Sequence, residues 1–148
     1  VETKAKAVRH LSQYADRILV GGKVMFEKTL EDIPNVVFPV DAVDTFDIGP
    51  KSVELFKKNF EDAGTVVWNG PLGKFEEEKY AEGTRKIAKS LARKDAEIIV
   101  GGGDTVDALR HFGLREKIDF VSTGGGAMLA YLTDDALPGL NALESVDN

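Results

Sequence analysis

Short apolar runs alternate with amphipathic stretches along this chain. Residues 17–20, 36–40, 65–68, 97–100 and 118–121 read as strands, and all but the second run into glycine within a few positions. Helical patterns lie between them. Residues 3–15 put Ala7, Leu11 and Tyr14 on one face, and residues 52–60 gather Leu55, Phe56 and Phe60 behind a Pro50-Lys51-Ser52 start. Residues 80–92 present Ile87, Ala88 and Leu91 together, while 104–112 and 126–132 are shorter. Such alternation predicts an α/β fold: a doubly wound parallel sheet with helices on both faces, a Rossmann-like three-layer sandwich. The acidic run Glu76-Glu77-Glu78 reads as the solvated first turn of a helix, and the tail from Leu137 reads as a turn and a short terminal segment.

Ligands of such sheets bind at the carboxyl ends of the strands. Two glycine triplets fall there, Gly101-Gly102-Gly103 before Asp104-Thr105 and Gly124-Gly125-Gly126 before Ala127. A strand that empties through glycines into a helix start lets backbone N–H groups approach an anion, and the helix adds unpaired donors and a positive dipole end. Either triplet alone is as readily a tight strand–helix turn; two together favour a polyphosphate. Asp104 is equally readable as a Mg²⁺ ligand beside phosphate or as a helix N-cap. Thr105 is readable as a phosphate donor or as filling of the first turn. Asn69, in Trp68-Asn69-Gly70-Pro71, faces a ligand or satisfies its own turn. Glu76 takes two ribose hydroxyls or caps a helix. Lys4 pairs with a phosphate or is solvated, as a lone helical lysine usually is.

Composition narrows the classes. The 148 residues suit one domain with a full core. There is no cysteine, which excludes disulfides, thiolate metal sites and a cysteine nucleophile and is compatible with a reducing cytoplasm. A net charge of −6 argues against nucleic acid as a partner. No apolar run has the length of a membrane helix. The lysine of Gly70-Pro71-Leu72-Gly73-Lys74-Phe75 has the wrong spacing for a Walker A loop, and no dinucleotide fingerprint follows the first strand. His10 and His111 have no partner pattern and read as structural or surface residues. Val1 is not methionine, so the chain reads as a piece of a longer protein.

Several of these segments resemble phosphoglycerate kinase. Thr65-Val66-Val67-Trp68-Asn69-Gly70-Pro71-Leu72-Gly73-Lys74-Phe75-Glu76 is similar to the family's nucleotide-lining segment. Ile99-Val100-Gly101-Gly102-Gly103-Asp104-Thr105 and Val121-Ser122-Thr123-Gly124-Gly125-Gly126-Ala127 resemble two further signatures in the right order, and Asp47-Ile48-Gly49-Pro50-Lys51-Ser52 and Leu137-Pro138-Gly139 match as well. The resemblance implies a glycolytic two-domain kinase, cytoplasmic and monomeric. It moves a phosphoryl group reversibly between 1,3-bisphosphoglycerate and ADP to give 3-phosphoglycerate and ATP. Residues 1–148 would be its C-terminal, nucleotide-binding domain, and the N-terminal glycerate-binding domain would be the missing partner.

The same resemblance implies the roles. Glu76 would bind ribose; Asn69 and Pro71 would line the nucleotide and its phosphates; Gly21, Gly22 and Leu72 would border the adenine. Asp104 would hold Mg²⁺, and Thr105 with Gly101, Gly102 and Gly103 would bind phosphate. Lys4 would contact the transferring phosphate, and the amides of Gly124 and Gly125, with Gly102, would stabilise the phosphoryl group in flight. Phosphoryl transfer asks mainly for in-line positioning and charge neutralisation, which suits this set. Three departures stand beside the match. The glycerate domain is absent, so closure is not available to this chain alone. The connection from Gly21-Gly22-Lys23-Val24-Met25-Phe26 to Asn35-Val36-Val37 is shorter than the family's helical segment. Lys74 stands where the family has an apolar residue against the base. The alternatives are a non-catalytic Mg-nucleotide-binding module and a structural remnant that has lost its ligand.

Overall fold

The computed structural model describes residues 2–118, 120–122 and 140–146. Six strands form one sheet in the order β2-β1-β8-β5-β6-β7. They are β1 (Ala15–Gly22), β2 (Val36–Val37), β5 (Thr65–Asn69), β6 (Glu97–Gly101), β7 (Phe120–Ser122) and β8 (Leu140–Val146). Every pairing in the sheet is parallel. A separate antiparallel ribbon joins β3 (Ala42–Val43) to β4 (Asp47–Ile48). The helices are α1 (Glu2–Leu11), α2 (Pro50–Phe60), α3 (Glu82–Ala92) and α4 (Gly103–His111). None of the described helices is long and apolar enough to cross a membrane.

The pleat explains the layers. Successive strand residues face opposite sides, so a strand covered on both faces is apolar throughout. Leu19, Val66, Trp68, Ile98 and Val100 join Phe56 and Phe60 of α2, Ile87 and Leu91 of α3 and Leu109 of α4 in one core cluster. Their alternating neighbours Ile18, Val20 and Val67 join Val8 and Leu11 of α1 in a second cluster. The doubly wound reading therefore holds, with α2, α3 and α4 on one face and α1 on the other.

Three local readings change. Residues 140–146 form β8, the strand between β1 and β5, rather than a terminal segment. The polar residues Asn141, Glu144 and Ser145 interrupt the apolar run that marks the other strands. The strand read at 36–40 shortens to Val36–Val37, because Pro39 has no N–H to give a ladder. The acidic run opens only a short 3-10 turn, Glu78–Tyr80, and α3 begins at Glu82. The helix read at 126–132 lies outside the described residues.

Candidate functional site

One row of the sheet fixes the site. Val20 pairs with Glu144, Glu144 with Asn69, Asn69 with Gly101 and Gly101 with Ser122. Because all strands run the same way, the residues just past this row share one rim: Gly21 and Gly22 at the end of β1, Gly70 and Pro71 after β5, Gly102 and Gly103 after β6. From β1 the chain winds to β2 on one side, and from β5 it winds to β6 and β7 on the other. The rim is thus the edge at which the winding reverses, where ligands of such sheets sit.

Asn69 is the centre of this rim. It is buried at the end of β5. The ammonium of Lys4, from α1, donates to its Oδ1. A lysine can only donate, so this bond fixes the amide orientation and turns Nδ2 the other way. Among the described residues Nδ2 is buried without a hydrogen-bond partner, and a Cβ built on Gly102 would lie 3.5 Å from it. Buried donors are rarely left unpaired, so this donor, aimed at the glycine turn and unpaired among the described residues, calls for an acceptor.

The first triplet is shaped as its glycines predict. Gly102 has φ +95°, a left-handed conformation that side chains resist, and it precedes the first turn of α4. Thr105 is fully buried, and its Oγ1 accepts the N–H of Gly70 at 2.7 Å, so it ties the β5 rim to α4. Asp104 stands half-buried in the first turn of α4. Among the described residues no group of three His, Asp or Glu side chains could hold a metal. A single carboxylate beside a phosphate-shaped turn fits Mg²⁺, which draws most of its ligands from phosphate oxygens and water.

The segment after β5 carries the remaining residues. Pro71 and Leu72 are buried. A Cβ on Gly21 would come within 2.6 Å of Leu72 Cδ2, so Gly21 and Leu72 do meet, in a contact only glycine permits. Gly22 lies one residue further along the rim, with φ +57°. Phe75 packs with Ala81, Ala108 and Phe112, and this anchor presents Glu76 to solvent next to α4. Glu76 caps no helix, which removes one of its two readings. Lys74 sets its ammonium 4.1 Å from the ring centroid of Phe46, itself 42% exposed. His10 and His111 are both exposed and lie beside the rings of Tyr14 and Phe75, as structural or surface residues do. Gly124 and Gly125 lie outside the described residues.

Sequence reasoning did not single out Thr84 or the chemistry of Asp47. Thr84 Oγ1 accepts the N–H of Leu72 at 3.1 Å. Asp47 accepts the N–H of Gly83 at 2.9 Å and that of Ile48 at 2.9 Å. Burial pushes its carboxyl up to about 6, and the two N–H donors offset only part of that rise. A threonine inside a helix and an aspartate before an apolar strand residue carry no signal of such roles. Gly73 and Gly83 carried a faint one, since a side chain at either would collide with the carboxylate.

A family model described as phosphoglycerate kinase matches residues 26–135. The phosphoglycerate kinase of Lactiplantibacillus plantarum is 45% identical over 130 residues, covering 85% of this chain and 32% of the relative. That of Thermosipho africanus is 34% identical over 197 residues, covering 97% of this chain and 49% of the relative. The structure of phosphoglycerate kinase from Coxiella burnetii aligns with a TM-score of 0.78 at 31% identity, over 90% of this chain and 47% of that one. The chain therefore spans a third to a half of these relatives' length. The Thermosipho alignment is also longer than the chain itself, so that relative carries residues inside the aligned span that this chain lacks. In keeping with the short connection, two 3-10 turns, Lys23–Phe26 and Lys28–Leu30, take the chain from β1 to β2, and Phe26 is left 56% exposed.

Proposed function

Because this chain belongs to the phosphoglycerate kinase family, we propose that it is the C-terminal, nucleotide-binding domain of such a kinase and holds ADP or ATP along the rim of its sheet. The observation that carries this reading is the buried Asn69 amide, fixed by Lys4 and aimed at the left-handed Gly102 turn with a donor still to be used. An anion at the start of α4 supplies the missing acceptor and meets the helix dipole. Lys4, Gly101, Gly102, Gly103 and Thr105 bind the phosphates. Asn69 and Pro71 line them, Glu76 takes the ribose, and Gly21, Gly22 and Leu72 border the base. Asp104 holds Mg²⁺, whose charge neutralises the phosphate oxygens when it is bound. Gly124 and Gly125 complete the phosphate side.

In the whole enzyme this rim presents the terminal phosphate to 3-phosphoglycerate, or ADP to 1,3-bisphosphoglycerate, held by an N-terminal glycerate-binding domain. Lys4 and the amides at Gly102, Gly124 and Gly125 favour the charge of the phosphoryl group in transfer, and closure of the two domains excludes water. Residues 1–148 supply one wall of that cleft, and on this reading they do not turn over by themselves. The protein is a cytoplasmic, monomeric glycolytic enzyme on this reading. A second reading, a Mg-nucleotide-binding module without catalysis, is favoured by the residues that the Thermosipho relative has and this chain lacks.

Thermal melting with Mg-ADP tests the proposal. Binding to the folded state alone adds about 2.7 kcal/mol at a hundredfold excess over Kd, a shift of several degrees. A Mg-dependent rise supports the reading, and no rise at millimolar nucleotide refutes it. Turnover on adding the glycerate-binding domain selects the kinase domain over the binding module.

A further inference from the structure

Five polar side chains are buried among the described residues: Asp47, Ser52, Asn69, Thr84 and Thr105. Burying a polar group is costly unless it is hydrogen-bonded, so such groups mark the backbone that a fold is committed to holding. Ser52 accepts the N–H groups of Val40 and Asp41 at the start of α2. The other four gather on one segment, residues 69–73. Asn69 belongs to it. Thr105 of α4 takes the N–H of Gly70, and Thr84 of α3 takes the N–H of Leu72. Asp47 of β4 lies where a Gly73 side chain would be, and it bonds the N–H of Gly83, the residue before Thr84.

We propose that Thr84 and Asp47 are positioning residues of the nucleotide site, which with Thr105 hold residues 70–73 from three different elements. The proposal rests on the nucleotide-binding reading. Neither side chain reaches the ligand. Thr84 acts through the backbone of Leu72, and Asp47 acts through its packing on Gly73 and its bond to the first turn of α3. The segment needs such support. It leaves the sheet at Gly70 with φ +95°, and the bonds that fix Gly70 and Leu72 come from side chains rather than from a ladder. A loop bonded only to water opens easily, whereas acceptors buried in the protein hold it ready before a ligand arrives.

Thr84→Val tests this, because it keeps the shape and removes the acceptor. The Leu72 amide would then exchange hydrogen about tenfold faster relative to the β5 amides of Val66 and Val67, and Mg-ADP would bind about tenfold more weakly. Thr84→Ser restores both. Asp47→Asn is the second perturbation, should the valine variant fail to fold. It speeds exchange at Gly83 and weakens Mg-ADP in the same direction. A Thr84→Val chain that melts lower, with Leu72 exchange rising only in step with Val67 and an unchanged Kd, overturns the proposal. If the parent chain itself binds no Mg-ADP, it is the nucleotide reading that fails. The exchange data still decide the inference: local acceleration at Leu72 supports the positioning role, and its absence overturns it.

Discussion

Replacing Asp47 with asparagine changes how stability depends on pH, and the size of the change follows from where the carboxyl sits. Asp47 is 1% exposed, and desolvation pushes it from 3.8 up to about 6, with the Gly83 and Ile48 N–H donors offsetting part of the rise. Lys79 and Lys86 line the same cavity, but Lys79 pairs with Asp44 at 2.6 Å and Lys86 faces Glu82 at 3.9 Å. Neither compensates the buried charge. A rise of about two units corresponds to about 3 kcal/mol. Since the folded-state value lies above the unfolded one, the folded chain binds the extra proton between them. The stabilisation is complete below about pH 4 and is lost as pH rises through about 6. Asparagine does not titrate, and its amide turns a donor toward one of the two N–H groups, a cost of about 1–3 kcal/mol at every pH. The stability difference, variant minus parent, therefore moves in the variant's favour by about 2 kcal/mol between about pH 4.5 and pH 7.5. Urea unfolding followed by fluorescence of Trp68, fully buried and the chain's one tryptophan, reads both proteins. Carboxyls such as Asp44, held low by hydrogen bonds from Lys79 and Tyr80, titrate alike in both and cancel. A difference that is flat across this range, or that moves the other way, refutes the reasoning.

Asp104→Ala should weaken Mg-ADP binding at least tenfold while metal-free ADP changes little, measured by calorimetry; an equal loss for both makes Asp104 a capping residue. Asn69→Leu removes an amide whose Nδ2 has no partner among the described residues together with the Oδ1 that accepts from Lys4, so stability should fall by about 1–3 kcal/mol while Mg-ADP binding falls about tenfold or more. A large loss of stability with unchanged affinity would make Asn69 a structural residue. Gly73→Ala puts a methyl group onto Asp47 and within 2.7 Å of the Phe46 carbonyl oxygen, and should cost about 2–3 kcal/mol in urea unfolding. A cost under about 0.5 kcal/mol would mean that the β3–β4 ribbon is not held against this segment.

The layers were legible because pleat and helix periods leave direct marks. Val66-Val67-Trp68 and Ile98-Ile99-Val100 are apolar at every position, which only a strand covered on both faces requires. The rim was legible for a related reason, as glycine is needed where Gly102 turns left-handed in front of a helix. β8 was not legible. Its place between β1 and β5 is set by neighbours far away in sequence, while Asn141, Glu144 and Ser145 break its local pattern. Thr84 and Asp47 were hidden for the same reason. Their partners Leu72 and Gly83 lie 12 and 36 positions away, and no spacing rule connects them. Read from the residues alone, Lys4 was as readily a solvated lysine; the family resemblance gave it a role, and the contact it makes, across 65 positions to Asn69, could not be read from the sequence.

The central claim is that nucleotide binds along this rim, and an amide NMR titration of the chain with Mg-ADP tests it most directly. The account predicts saturable shifts at Gly21 and Gly22, through residues 69–76, and at residues 101–105, with the Asn69 side-chain amide among the largest. The amides of Lys57, Lys58, Arg93 and Lys94, around the basic groove between α2 and α3, should not move. A spectrum unchanged at millimolar Mg-ADP, or shifts confined to that groove, would contradict it.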